Sequence, residues 1–375
     1  MNIKNNVFYR PTWVEINLKN LAHNFGLVKK IVGPKVKILV PVKADAYGHG
    51  IIVISQELQS LGADYLGVAC LDEAILLRKS GITLPILILN TILAGNVKPL
   101  LDYSLTQTIC TKELAHKLNQ EARKRNVLAC AHIKVDTGMH RIGVAHNEAY
   151  SFIKAIARLS NLRIEGIFTH FPCADNKPSF TRMQIRMFNG LIQRLDEANV
   201  HIPFKHASNS LGVINYPAGH FNMVRPGLMI YGLYPTGGLK IKLKPLLSLK
   251  TKIAYLKTVP KRSGVSYGHT YVTPRTMKIA TMPIGYGDGY PRSLSNKAHC
   301  LISGREARII GKVCMDQLMV DVTKIKKVKI GQEAVLIGRQ KNKSINVEQL
   351  AKLAGTIPYE IVCNLGERIR RIYKN

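Results

Sequence analysis

Over roughly the first 230 residues, short β-branched and apolar runs alternate with segments of helical period, and this alternation constrains the fold more than any other feature. Eight runs read as strands, at 36–42, 65–69, 85–89, 105–109, 129–135, 164–169, 204–207 and 223–224. Between them, 52–61, 73–79, 112–125, 148–159 and 180–198 carry apolar residues at three- and four-residue intervals. Repeated βα units imply a parallel sheet, and eight of them favour closure. No G-x-G-x-x-G follows the first strand to support an open dinucleotide-binding sheet. The predicted class is therefore α/β, a (β/α)8 TIM-like barrel. In such a barrel chemistry gathers beyond the C-terminal ends of the strands. The residues there are polar: Lys43, Asn90, Asp136, His170, Ser208 to Ser210 and Arg225.

After Pro235-Thr236-Gly237-Gly238 the texture becomes alternating and β-rich, with glycine-rich turns and one helical segment near 347–353. That pattern predicts a C-terminal antiparallel β domain. The expected division is a barrel over 12–238 and a β domain over 239–375, with residues 1–11 packing on the latter.

A formal net charge of +31 raises the possibility of a nucleic-acid partner. Lysines and arginines are scattered, however, with short clusters only at 123–125, 324–329 and 368–371, and no nucleic-acid-binding motif accompanies them. A solvated basic surface without nucleic acid is expected. The seven cysteines are dispersed and lack C-x-x-C pairs, so they read as reduced core thiols rather than metal ligands. The first residues, MNIKNNVFYRPTWVEI, lack an apolar signal region, and no apolar run is long enough to span a membrane. A cytoplasmic protein is expected.

The string VKADAYGHG at 42–50 directly follows the first strand. A lysine at a barrel mouth can condense with an aldehyde cofactor, and the glycines let backbone pass close to a ligand. Chemistry alone leaves this indistinguishable from a surface lysine in a polar turn. The string resembles the cofactor-lysine motif of the alanine racemases, enzymes that use pyridoxal 5′-phosphate (PLP). RPTWVEI at 10–16, KVDTGMHRIG at 134–143, FTHF at 168–171, SNS at 208–210 and VRPGLMIYG at 224–232 resemble the same family. So do VSYGHTY at 265–271, GYGDGYPR at 285–292 and VCMDQLMVDVT at 313–323, all in family order.

The resemblance implies a PLP-binding barrel that interconverts L- and D-alanine, supplying D-alanine for peptidoglycan; a broader racemase accepting serine, lysine or arginine is the alternative. A regulatory PLP-binding protein without turnover would lack the second domain. Lys43 would hold the cofactor and act as base on one face of the substrate, with Tyr267 the base on the other. A tyrosine free in water is a poor base at neutral pH, so something must favour its phenolate, and the resemblance implies nearby cationic groups. By the resemblance, Arg141 contacts that phenol and the substrate carboxylate, and Lys134 matches a lysine carbamylated in many members. Arg225 would face the pyridine nitrogen, where related decarboxylases use a carboxylate. It would keep that nitrogen unprotonated and restrict the chemistry to proton exchange.

Tyr47, Ser210, Gly227 and Leu228 would anchor the phosphate, His170 would pack on the cofactor ring, and Asn209 would support the site. The backbone of Met315 would meet the substrate carboxylate, and Tyr286 and Asp316 would line the entrance. In the family Tyr267, Tyr286, Met315 and Asp316 reach the partner subunit's cofactor, which implies a head-to-tail homodimer with shared sites. The pattern departs at Glu367, where many members carry a tyrosine near the phosphate, and at His140, Pro172 and His269 within otherwise matching strings.

Overall fold

The computed structural model of the chain describes residues 9–234 and 241–375. Strand β1 (Thr12–Asn17) leads into helix α1 (Leu18–Val32), whose N-cap Asn17 accepts a bond from the Asn20 amide. Next come β2 (Lys37–Pro41), the left-handed turn α2 (Lys43–Gly48), α3 (Ile51–Ser60), β3 (Tyr65–Val68), α4 (Leu71–Lys79) and β4 (Ile86–Ile88). The first half of the barrel ends with α5 (Lys98–Asp102), β5 (Thr106–Ile109) and α6 (Lys112–Lys124). The second half holds β6 (Ala129–Asp136), a short β7 (Val144–Ala145), α7 (His146–Ile156), β8 (Leu162–Phe168), α8 (Pro178–Glu197), β9 (Phe204–His206), α9 (Ser210–Asn215) and β10 (Met223–Val224).

The eight expected runs form one parallel barrel in the order β5-β4-β3-β2-β10-β9-β8-β6, sealed by β5 on β6. Every residue of β3, β4 and β5 is buried, because helices cover one face and barrel packing fills the other. That double burial is why β3 and β4 read as continuous apolar runs, while β5 buries Thr106, Gln107 and Thr108 as well.

The C-terminal part contains β11 (Leu247–Lys252), β12 (Tyr255–Val259), β13 (Gly264–Val265), β14 (Tyr271–Val272), β15 (Met277–Met282), β16 (His299–Ile302), β17 (Arg305–Arg308) and β18 (Leu318–Asp321). It ends with β19 (Glu333–Gln340), β20 (Lys343–Ile345), α10 (Val347–Ala354), α11 (Pro358–Cys363) and β21 (Arg370–Lys374). Its largest sheet runs β17-β16-β19-β11-β1-β21, beside a three-stranded sheet β12-β15-β18 and the hairpin β13-β14.

Two expectations change here. The barrel does not begin at residue 12, because β1 lies between β11, antiparallel, and β21, parallel. Its alternating burial suits a sheet with two unequal faces and not a barrel strand covered on both. For the same reason the second domain is antiparallel except where β1 meets β21. The predicted boundary at 238 and the Pro235 to Gly238 run lie outside the described residues, as do residues 1–8 of the N-terminal segment. Arg10 does meet the C-terminal domain, donating to Pro283 O and pairing with Asp288 at 2.6 Å. The seven cysteines are all free; Cys300 is fully buried, and the other six are partly buried, Cys363 among them packed against the core.

Candidate active site

Strand β2 ends at Pro41 and delivers Lys43 to the barrel mouth at the start of a turn of unusual hand. Ala44, Asp45, Ala46 and Tyr47 all take φ of 52–55°, the left-handed region. For residues with a Cβ this conformation costs about 1–2 kcal/mol each, so neighbours must hold it. Glu73, in the first turn of α4, does so with both oxygens, accepting from Ala44 N and Ala69 N at 2.7 Å each. Asp45 accepts from Ile51 N at 2.8 Å, and Arg371 of β21 donates to Gly48 O and pairs with Asp45 at 3.5 Å. Tyr373, also on β21, donates to His49 O. A Cβ on Gly48 would run into Val362 O, which fixes glycine there. Burial first, then the neighbouring Arg141, pushes the Lys43 ammonium below its ordinary range, with Glu73 partly opposing.

The same turn aims Tyr47 at the far side of the mouth. Its ring lies on Tyr231 at 4.8 Å between centroids. Ser210 Oγ, at the start of α9, accepts from Gly227 N at 3.0 Å and Met229 N at 3.3 Å. A Cβ on Gly227 would come within 3.1 Å of the Tyr47 hydroxyl and 3.9 Å of Ser210 Oγ, so only glycine keeps that space open. Backbone amides, a serine and a phenol thus converge on one small cradle, with Leu228 buried behind it. Asn209 caps α9 through Gly212 N and ties it to Phe171 O, a bracing position beneath the cradle.

Arg225, at the end of β10, is 4% exposed. Nη1 meets His206 Nδ1 at 2.7 Å; Nη2 donates to Thr169 O at 2.7 Å and Ala207 O at 3.0 Å, and approaches His170 Nδ1 at 3.3 Å. No carboxylate pairs with it among the described residues. Burial pushes its guanidinium down to about 9, which leaves it charged at neutral pH. Lys134, near the end of β6, is buried, and its amine lies over the Phe168 ring beside Arg225. Burial, then Arg225 and Arg141, pushes it down to about 7. His170 is held well below its ordinary value by burial and by Arg225, Lys134, Arg141 and Lys43. Arg141 is exposed on the loop after β6. Asp136 shapes that loop by accepting from Gly138, Met139 and His140 amides.

The other predicted residues lie elsewhere. Tyr267, Met315 and Asp316 line a cleft of about 570 Å³ in the C-terminal domain, and Tyr267 is 69% exposed. Tyr286 joins them because Tyr286 N bonds Cys314 O and Gly287 N bonds Met315 O. Asp316 is anchored by Arg368 at 2.6 Å, and the fully buried Asp288 holds Arg10 and Arg368 beneath. Among the described residues no hydrogen bond, ion pair or ring contact joins these four to the Lys43 mouth. Glu367 is exposed. Sequence reasoning passed over Glu73, Asp288, His206 and Arg371. Only Glu73 left a local signal, an acidic residue shortly after a strand and in the first turn of a helix.

Residues 16–235 match the family model for the alanine racemase N-terminal domain, and residues 246–373 the model for the C-terminal domain. The alanine racemase of Halothermothrix orenii is 48% identical over 369 residues, which cover 98% of this chain and 97% of that protein. The alanine racemase of Clostridium novyi is 41% identical over 370 residues, 97% of this chain and 95% of that one. Among solved structures, alanine racemase from Clostridium difficile superposes with TM-score 0.93 at 38% identity, covering 98% of this chain and 97% of that chain. Alanine racemase from Bacillus anthracis with bound L-Ala-P gives TM-score 0.93 at 35% identity, covering 99% and 96%. With both halves matched in order and along their whole length, the chain belongs to the alanine racemase family.

Proposed function

We propose that this chain is a PLP-dependent alanine racemase, a cytoplasmic homodimer that interconverts L- and D-alanine and supplies the D-isomer for peptidoglycan. The observation that carries the reading is the barrel mouth. There an amine depressed by burial, an anion cradle and a guanidinium without a carboxylate lie on adjoining strand ends. Identity along the full length to proteins named alanine racemase favours alanine over serine, lysine or arginine as substrate.

The donor set fits a phosphorylated pyridine aldehyde. The space kept by Gly227, with Ser210, Tyr47 and the backbone at Leu228, suits a phosphate. His170 offers a ring face and Arg225 a donor for the ring nitrogen. When bound, the cofactor supplies an electron sink for the substrate α-carbon. Lys43 would hold it and move a proton at Nζ on one face; burial and Arg141 lower its pKa, which favours the free amine. Tyr267 would move a proton at its hydroxyl on the opposite face. Racemisation requires two groups on opposite faces, since a single fixed one serves both poorly.

Arg141 would orient the substrate carboxylate, assisted by the Met315 amide, and Tyr286 and Asp316 would border the entrance. Lys134, near neutrality at pH 7, has free amine able to add carbon dioxide, and its carbamate would give Arg141 an anionic partner. Because Tyr267 has no contact with its own Lys43, the reading requires Tyr267 of the partner subunit.

The test is the visible spectrum of purified protein with and without borohydride, followed by turnover of D- and L-alanine. An imine band reducible at Lys43, with turnover of both enantiomers, is expected. Colourless protein after PLP addition would overturn the reading, as would a fully active monomer in sedimentation.

A further inference from the structure

Beneath Arg225 two histidines run into the barrel core in a line that the proton exchange just described leaves unused. His206 and His132 are both 0% exposed, and His206 Nε2 meets His132 Nδ1 at 2.9 Å. The direction of each bond follows from chemistry. A guanidinium only donates, so His206 Nδ1 accepts and its proton sits on Nε2. That proton points at His132 Nδ1, which must accept in turn, so the His132 proton also sits on Nε2. His132 Nε2 is buried and finds no partner among the described residues.

The barrel is built to admit this line. Strands β6 and β8 shift register between Ala131 and His132, and Gly166 lies opposite. A Cβ at Gly166 would collide with the His132 ring. His206 is stacked on Phe168 at 4.8 Å with 5° between planes, so it cannot rotate freely. A stranded buried N–H is unfavourable, and an apolar core of the same shape would be more stable. The arrangement therefore does something other than stabilise.

We propose that His132 is a positioning residue: through His206 it locks a one-way donor chain that holds the Arg225 guanidinium in place as a permanent donor toward the cofactor ring nitrogen. Without an acceptor at His132 Nδ1, His206 is released to turn its own N–H toward Arg225, and the guanidinium must shift. Two neutral imidazoles thus stand where a carboxylate would neutralise the arginine. Burial keeps both neutral, with His132 pushed down to about 3 and His206 also far below its ordinary value. The proposal rests on the racemase reading for its functional half and on the protein alone for its structural half.

The experiment compares wild type with His132→Asn, whose side-chain oxygen can accept at the Nδ1 position, and His132→Leu, which cannot. Histidine ¹⁵N NMR on cofactor-free protein reads the tautomers. With PLP added, kcat, KM and the fraction of turnovers ending in transamination are measured on alanine. Expected are Nε2–H tautomers at both positions in wild type, with His132→Asn keeping that of His206. His132→Leu should lose it, lower kcat about tenfold with little change in KM, and raise the transaminated fraction. Thermal melting checks that both variants fold; a His132→Asn that does not fold is replaced by His132→Gln, which can also accept, and a His132→Leu that does not fold by His132→Phe, which cannot. Nδ1–H tautomers in wild type, or a folded His132→Leu that matches His132→Asn in tautomer and transaminated fraction, would overturn the proposal. Should wild type bind no PLP, the racemase reading fails while the NMR still judges the relay.

Discussion

The barrel mouth holds more of the predicted site residues than the Tyr267 face, and the two are built in opposite ways. At the mouth, Arg225 is 4% exposed and committed to carbonyls and imidazoles, and the Lys43 turn is clamped by Glu73, Asp45 and Arg371. On the other face Tyr267 is 69% exposed, and Met315 and Asp316 beside it are exposed as well. On the shared-site reading proposed above, one chain finishes half a site. Its cation-rich side is rigid in isolation, whereas the phenol side is a preassembled surface that needs something to face.

The sharpest way to break this comparison is Lys43→Ala, expected to lose at least about 10⁴-fold in activity and all borohydride-fixed cofactor. Tyr267→Phe should keep the bound chromophore but lose about 10²–10⁴-fold in proton abstraction from one enantiomer, read by solvent-hydrogen incorporation from each isomer. Mixing the two variants sharpens the point. If sites are shared, half the re-formed dimers are hybrids with one intact site, and about a quarter of wild-type activity returns; no recovery would mean that each chain completes its own site.

Glu73→Ala tests the rigidity of the mouth. Losing an acceptor for two amides should lower stability by about 2 kcal/mol in urea unfolding and loosen hydrogen exchange across 44–50. Lys134 supplies a pH test. Its ammonium is at about 7 in the fold against an ordinary 10.5, so the unfolded chain binds more protons between those values and stability climbs with pH across that window. Below it both states are protonated and the burial penalty is full. The difference between wild type and Lys134→Met in bicarbonate-free buffer should show that climb, and a flat difference would contradict it. The smallest effect belongs to Glu367→Gln: because Glu367 is exposed, PLP affinity should change by less than about twofold.

The barrel was legible because strands buried on both faces are largely apolar, and such runs recur eight times between helical segments even where buried polar residues such as Gln107, His132 and His206 interrupt them. Even Phe204–His206 and Met223–Val224, only three and two residues long, fell where the alternation required. The candidate residues at strand ends could be named from their motifs. What sequence could not reveal depends on partners far along the chain. β1 alternates like any strand, but its neighbours lie more than 200 residues away, so its sheet was unreadable. The left-handed turn from Ala44 to Tyr47 contradicts local preference and exists only because Glu73, Arg371 and Tyr373 impose it. The line from Arg225 through His206 to His132 joins three strands, and only closure of the barrel brings them together.

The grip of Arg371 and Tyr373 on Gly48 O and His49 O has a consequence for synthesis on the ribosome. The loop bearing Lys43 is translated more than 300 residues before two of the groups that fix it. A nascent barrel, however complete its strands, therefore waits for Arg371 and Tyr373 before its amine is set, and a cut that removes only β21 would unfasten the loop from a distance.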